Sequence, residues 1–572
     1  MRLDLRTTRK NTVKRKREIA SGLFMLAMAT VFAQQAPPTQ DQTKTDDQKD
    51  AQATPATPAP PKLNVDLGWS TWGLSGNENK FRQYATAPKG LFLKDASYGD
   101  TFSFLGKSDV LLDAKSPWQD DFLLGGIVRL NSGATKINAS EQRNRFFSPD
   151  PSVLEGSERL TYQGGVQQKL TRDFGVSFQE KFDQQQQNFS APYAPLNQKT
   201  RIWNADGQGT LWKDGFVDLS YTDVRYWDRT QALPDTNTQT WNAGAMQQIG
   251  DAFSLNASVA RSLIRQPGVG TDKSSVDAWS AGGEWLIGDG TSLIGQMQNE
   301  KISLPTVQNA FDKMRDMAHA RLVHNFGAGW SAQFGYSKLA IERVNADHTN
   351  VDNPTWHTYD VQITGRLSPS VRLTAKGSRE TMQGTAQMET DDPLGLYWSN
   401  RWNGEIKLDA TSDQINSYIV FGIHQDRNDA RDVNVRNQNL TYGATFEVQP
   451  QLEFYVESSY DLWSGNTTDP SSPNLGQFFP DGTTFTAGGN WTVDEHTYVT
   501  ANYTLFNTNN DNPLGLPDGN VRGNFFSGTV HYKTAAGYEF GLTFAPWQYS
   551  DRLYQGMGYS TGLIQLTARA KF

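Results

Sequence analysis

From residue 63 to residue 572 the sequence repeatedly alternates apolar and polar residues with a period of two, in runs of strand length. In residues 401–410, Trp402, Ile406, Leu408 and Ala410 alternate with Arg401, Asn403, Glu405, Lys407 and Asp409. Val371, Leu373 and Ala375 alternate with Arg372, Thr374 and Lys376, and Leu452, Phe454, Val456, Tyr460 and Leu462 with Glu453, Glu457, Ser459 and Asp461. A helix would scatter these charges around its circumference, whereas a strand sends them all to one side. The pattern therefore predicts amphipathic strands with one face fit for lipid and one for water. Such a chain looks hydrophilic on average, and the mean hydropathy of -0.61 conceals the alternation.

The connections alternate too. Short turns at 213–215, 288–290, 327–329, 368–370 and 494–496 alternate with longer polar stretches at 231–238, 345–354 and 507–520. Tight turns at one end and long loops at the other are the pattern of outer-membrane barrels, with the short turns periplasmic. The expected fold is all-β: a transmembrane antiparallel up-and-down β-barrel of about 24 strands, within a range of 22 to 26. Residues 392–396 and 512–516 share the words Pro-Leu-Gly-Leu in two of the long loops, a faint hairpin repeat.

The two ends of the chain suit a barrel that is exported and inserted. Residues 1–33 hold eight Lys/Arg and two acids followed by an apolar run of 15 residues ending in Val31, Phe32 and Ala33. That run is short for a bilayer core of about 30 Å, so a cleaved signal peptide is expected. Residues 34–62 contain no aromatic or branched aliphatic residue. They lack the apolar surface to offset their ordering entropy, so a disordered periplasmic tether is expected, with the barrel occupying 63–572. The last strand presents Ile564, Leu566, Ala568, Ala570 and Phe572 on one side and Gln565, Thr567, Arg569 and Lys571 on the other. An amphipathic final strand ending on Phe resembles the signal read by the bacterial barrel-assembly machinery, with Ile564, Leu566 and Phe572 as its apolar part. The expected localisation is the bacterial outer membrane, with lipid as the first partner.

A barrel of about 24 strands, spaced by about 4.8 Å and tilted by about 40°, has a backbone diameter of roughly 48 Å. A hole that wide needs filling. The tether is too small to fill it, so the expected occupant is another protein, held by a polar lumen of mixed charge. The lumen-lining candidates are Arg372, Lys376, Arg401, Glu405, Lys407, Asp409, Glu453, Glu457 and Asp461. A water-filled pore for sugars or other small solutes is the alternative, and on that reading the same residues merely solvate the channel.

Residues 68–84 (GWSTWGLSGNENKFRQY) and 88–93 (PKGLFL) resemble the entry to the first strands of the MtrB/PioB family. Its members are porin-like sheaths through which a periplasmic multihaem c-type cytochrome is threaded for electron transfer across the outer membrane. The resemblance implies that role here, with haem only on the partner and no cofactor in this chain. The best-known members carry a Cys-x-x-Cys near the mature amino terminus, and this chain has no cysteine. That departure bears on any redox-sensitive feature of the family and leaves the sheath role intact.

Other chemistry finds little support. Without cysteine there is no thiolate metal site and no covalent haem attachment. The seven histidines (His319, His324, His348, His357, His424, His496, His531) form no ligand cluster in sequence, and His319 and His324, five apart, should face opposite sides of a strand. The Asp/Asn-rich loops at 426–432 and 507–512 do not have the spacing of an EF-hand. Trp212, Trp330, Trp356, Trp398 and Trp491 fall near predicted strand ends, where interfacial girdles place aromatics. The mature chain carries a net charge of -14, from -8 overall less the +6 of the leader, which argues against a nucleic-acid partner. No nucleophile, paired-carboxylate or phosphate-loop motif points to an enzyme.

Overall fold

In the computed structural model the described residues are 63–572, apart from stretches within the connections at 85–87, 104–105, 118–120, 149–153, 190–194, 231–233, 267–272, 304–310, 345–349, 385–397, 430–431, 468–480 and 510–519 and residues 289 and 553. The expected signal peptide and tether, both copies of the Pro-Leu-Gly-Leu repeat and His348 lie outside them.

Strands succeed one another along the chain, each antiparallel to the one before, from β1 (Leu63–Gly76) and β2 (Gly90–Phe102) to Tyr559–Lys571. The last strand then pairs with β1 over thirteen registered pairs, from Asn64 opposite Lys571 to Gly76 opposite Tyr559. The sheet is therefore a closed antiparallel barrel without a free edge, the one sheet architecture that satisfies every backbone group inside a bilayer. The short strand Asn350–Asp352 only folds back on Trp330–Val344, which pairs directly with Thr355–Ser368, so 26 strands form the wall. This lies inside the expected range and two strands above its centre. Gly90–Phe102 is a full barrel strand in the segment around residues 75–100, where few residues alternate. At 26 strands the same geometry gives a backbone diameter of roughly 52 Å and a lumen of roughly 40 Å.

The tight turns are where the sequence placed them. Asp214 and Ala328 adopt φ of 58° and 51°, and Gly327 and Gly329 take φ of 79° and 80°, left-handed conformations that let a two-residue turn reverse the strands. The first and last strands of the barrel meet at the short-turn end, where Leu63 and Phe572 exchange backbone hydrogen bonds of 3.1 and 2.8 Å. The long stretches are shorter than they read, because strands run into them: Thr236–Ile249 begins inside 231–238 and Thr497–Asn509 ends inside 507–520.

Cross-strand register carries each face around the wall. On one face Leu373 lies opposite Leu408, Ala375 opposite Ile406, Ile406 opposite Phe421 and Leu408 opposite Ile419. These residues have no layer over them: Ile406 is 51% exposed and Leu566, beside Trp69 and Leu542, is 46% exposed. An uncovered apolar belt of this extent is the exterior of a membrane barrel. Trp212, Trp330 and Trp491 stand on it at the short-turn end, as an interfacial girdle requires. Trp356 does not. It is buried, opposite Leu339 and Met382 on the other face, and Trp398 packs its ring under the Arg401 guanidinium at 4.2 Å. Position near a strand end was visible in the sequence, but the face depends on register.

Candidate functional site: the lumen wall

The polar face is the inner one. Arg372 lies opposite Asp409, Lys376 opposite Glu405, and Lys407 opposite Thr374 on one side and Val420 on the other. Glu453, Glu457 and Asp461 follow one another at every fourth residue of Leu452–Thr467, opposite Glu447, Gly443 and Asn439. All nine sequence-selected residues share this face, within five consecutive strands.

Their charges are mostly used locally. Lys376 Nζ is 2.9 Å from Glu405 Oε1, Lys407 Nζ is 2.7 Å from Asp409 Oδ1, and Arg401 donates to both oxygens of Asp426 at 2.7 and 3.1 Å. His424 Nε2 lies 3.0 Å from the same Asp426. Glu457 accepts from the Tyr418 hydroxyl, whose ring reaches it across Gly443: a Cβ at Gly443 would sit 2.7 Å from that ring. Glu453 faces Glu447 on the neighbouring strand, a like-charge pair, as Arg372 faces Arg366. Half-exposed pairs such as these contribute about 0 to 1 kcal/mol each, so they orient side chains more than they hold the wall together.

The rest of the inner face divides by chemistry. From Leu154–Lys169 round to Thr291–Ser303 it is richer in amide and hydroxyl groups, with side-chain bonds such as Thr240 to Ser262 (2.8 Å) and Ser258 to Ser280 (2.7 Å), beside one ion cluster in which Arg159 and Lys181 each lie 3.0 Å from Asp183. At the seam between first and last strands the charges return. Asp66 is 4% exposed, accepts from Arg569 at 3.0 Å and lies 3.9 Å from Lys94; Arg569 and Lys571 also reach Glu539 at 3.5 and 3.1 Å. This seam cluster joins residues 503 apart in sequence, and alternation alone gave no sign of it.

The long-loop mouth holds a feature that sequence reasoning missed. After β1 the chain forms a short helix, α1 (Glu78–Tyr84), which folds inward. Phe81 is fully buried, with its ring centroid 5.0, 6.0 and 5.6 Å from those of Trp72, Trp547 and Tyr559, all on the inner face. Leu74, Phe506, Val521, Phe525, Tyr549 and Met557 complete the cluster. Around it, Asn77 accepts the Lys80 N–H at 2.8 Å, Lys89 sits 3.9 Å over the Trp72 ring, Ser70 donates to the Pro88 carbonyl, and Gln83 donates to the Phe147 carbonyl at 2.9 Å. Burial pushes the Lys80 ammonium below its ordinary value, with the Asp551 charge acting against that shift. The segment is thus fixed against the wall on one side of the mouth. The signal that could have found it was the run of aromatics at inward positions near the chain's two ends.

Among the described residues no three His, Cys, Asp or Glu side chains come together as a metal site. His319 faces inward opposite Ser337, and His324 lies on the other face opposite Ala332.

No family model matches the chain, and no curated protein matches it. Among solved structures it is similar to the ferric citrate transporter FecA in its unliganded form (10% identity, 90% of this chain and 80% of that one, TM-score 0.49). It is also similar to the FrpB iron transporter of Neisseria meningitidis, F5-1 variant (8% identity, 90% and 82%, TM-score 0.49), and to the siderophore receptor PirA of Acinetobacter baumannii (8%, 89% and 80%, TM-score 0.48).

Proposed function

We propose that this protein is an outer-membrane, porin-like scaffold that sheathes a periplasmic multihaem c-type cytochrome, so that electrons cross the outer membrane through the partner's haems. The observation that carries the proposal is the width of the barrel. Twenty-six strands enclose a lumen of roughly 40 Å, far wider than the short segment around α1 can fill. An open hole of that size would leak most small solutes, and a folded partner closes it. The inner face suits such a partner: amide and hydroxyl groups over one arc, and ion pairs of both signs over another, offer hydrogen bonds without a strong net field. The resemblance of residues 68–84 and 88–93 to the MtrB/PioB family supplies the identity of the partner class. In this role the chain contributes no redox group. Its apolar belt anchors the assembly and its wall insulates the haems from lipid and bulk water.

Gentle purification from the native host should co-elute a haem-staining protein in fixed proportion to the barrel. In planar bilayers the barrel alone should conduct far more than the native complex. A barrel that leaves its host haem-free and conducts sugars or other small solutes identically in both preparations refutes the sheath and leaves the wide-porin reading.

A further inference from the structure

Above the apolar belt, towards the long loops, the exterior carries a ring of charges, and several of its cations are paired. Arg143 and Arg145 share Glu158, Arg201 meets Glu180 at 2.5 Å, Arg225 meets Asp223 at 2.9 Å, Arg261 meets Asp277 at 3.4 Å and Lys313 meets Glu342 at 2.8 Å. Outside those pairs, like Arg265, Lys301, Arg436 and Arg522, stand Lys338 and Arg379. Both are exposed on the exterior face, and among the described residues neither has a carboxylate within ion-pair distance. Asp316, the exterior carboxylate diagonal to Lys338, is taken by the Asn299 amide at 2.6 Å.

The two cations share one patch at one height. Each lies eight residues into a strand that starts at a short turn, Trp330–Val344 for Lys338 and Val371–Gln383 for Arg379. A rise of about 2.5 Å per residue along the barrel axis puts both about 20 Å up, near the upper edge of a belt about 25 Å tall. Between them stand His357, opposite Lys338, and Tyr359, opposite both Tyr336 and Arg379. Tyr336 shares a 2.9 Å hydrogen bond with His357 Nδ1 and lies 5.2 Å from the Tyr359 ring; Tyr359 is 56% exposed, and Trp402, opposite Arg379, is 52% exposed. Directly below run the exposed apolar residues Phe334, Val361, Ile363 and Ile406.

Two uncompensated cations at the edge of hydrocarbon are costly unless an anion meets them, and amphipathic rings at that height mark the headgroup layer. We infer that Lys338, Arg379 and the Tyr336–His357–Tyr359 platform form a binding site for the phosphate group of an outer-leaflet lipid, whose acyl chains lie down the Phe334–Ile406 surface. The site is built for one orientation: guanidinium and ammonium converge on the phosphate from two sides, over aromatic faces that hold the sugar or glycerol of the headgroup. It rests on the barrel's place in the membrane and is independent of what fills the lumen.

The full chain in nonionic detergent, mixed with diphosphorylated lipid A or with its enzymatically dephosphorylated form, tests this by native mass spectrometry. Wild type should retain the phosphorylated lipid and lose the dephosphorylated one. The double variant Lys338→Gln/Arg379→Gln should lower retention by about tenfold or more, since charge-assisted contacts are removed from both sides. Arg261→Gln, which alters a paired cation of the same ring, should leave it unchanged. Equal retention of the two lipids by wild type overturns the site without recourse to any variant. An undiminished double variant, or an equal loss with Arg261→Gln, overturns it as well.

Discussion

Residues 486 and 487 are neighbours in Asp481–Thr492, yet the structure sends them into different solvents. Ala487 lies on the exterior between Val456 and Tyr503, whereas Thr486 lies on the inner face between Glu457 and Thr504. Ala487 is five residues from the strand's short-turn end, which at about 2.5 Å per residue is about 13 Å up a belt about 25 Å tall, close to the midplane. Ala487→Arg should therefore cost about 2 to 4 kcal/mol, a shift of roughly 30-fold to several-hundred-fold in the folding equilibrium. Thr486→Arg places the same side chain in water beside the Glu457 carboxylate and should change stability by less than about 0.5 kcal/mol. Guanidinium titrations of folding into phosphocholine vesicles, followed by tryptophan fluorescence and heat-modifiable gel mobility, would measure both. A slip of one residue in register exchanges every side chain between faces. Equal penalties, or a larger one at Thr486, would refute the assignment of inner and outer faces.

Further perturbations test the parts that alternation does not reach. Arg569→Gln leaves the buried Asp66 with only the more distant Lys94, and with Arg569 half-exposed the loss should be about 1 to 2 kcal/mol in the same titration. Phe81→Ala empties a fully buried aromatic site and should cost at most about 3 to 5 kcal/mol, felt locally; limited proteolysis should then cut near residues 77–89 while the barrel stays heat-modifiable. In the turn at 494–496 the Asp494 carboxylate accepts the N–H groups of His496 and Thr497, which hold it below its ordinary range. A depressed carboxyl stabilises above its unfolded value, about 3.9, and that contribution disappears as pH falls through the folded value. Asp494→Ala should therefore be less stable than wild type at neutral pH and converge with it below about pH 4, as read from denaturation midpoints across pH.

The features legible in the sequence were those in which local pattern and final geometry are the same thing. The alternation in 401–410 maps directly onto the sheet, so Ile406 and Leu408 reach the exterior and Arg401, Glu405, Lys407 and Asp409 the interior whatever else the chain does. Which residues then meet depends on register. The partners Asp426 for Arg401, Tyr418 for Glu457 and Asp66 for Arg569 could not be read from either strand alone. Face polarity also fails where another element covers the wall. Trp72, Trp547 and Tyr559 point inward because α1 supplies Phe81 to pack against them, and Glu180 and Arg201 stand outward because they satisfy each other. The strand count lies at the upper end of the expected range for a related reason, since β2 carries Asp95, Tyr98 and Asp100 where a clean alternation would be needed to recognise it.

The chain has no cysteine, so a single introduced thiol marks one position without background. Thr486→Cys on the inner face and Ala487→Cys on the exterior, each carrying a photoactivatable maleimide cross-linker, can be compared in native outer membranes. The sheath account predicts a haem-staining adduct from position 486 and none from position 487. No haem-bearing adduct from position 486, or one from position 487 alone, would contradict it.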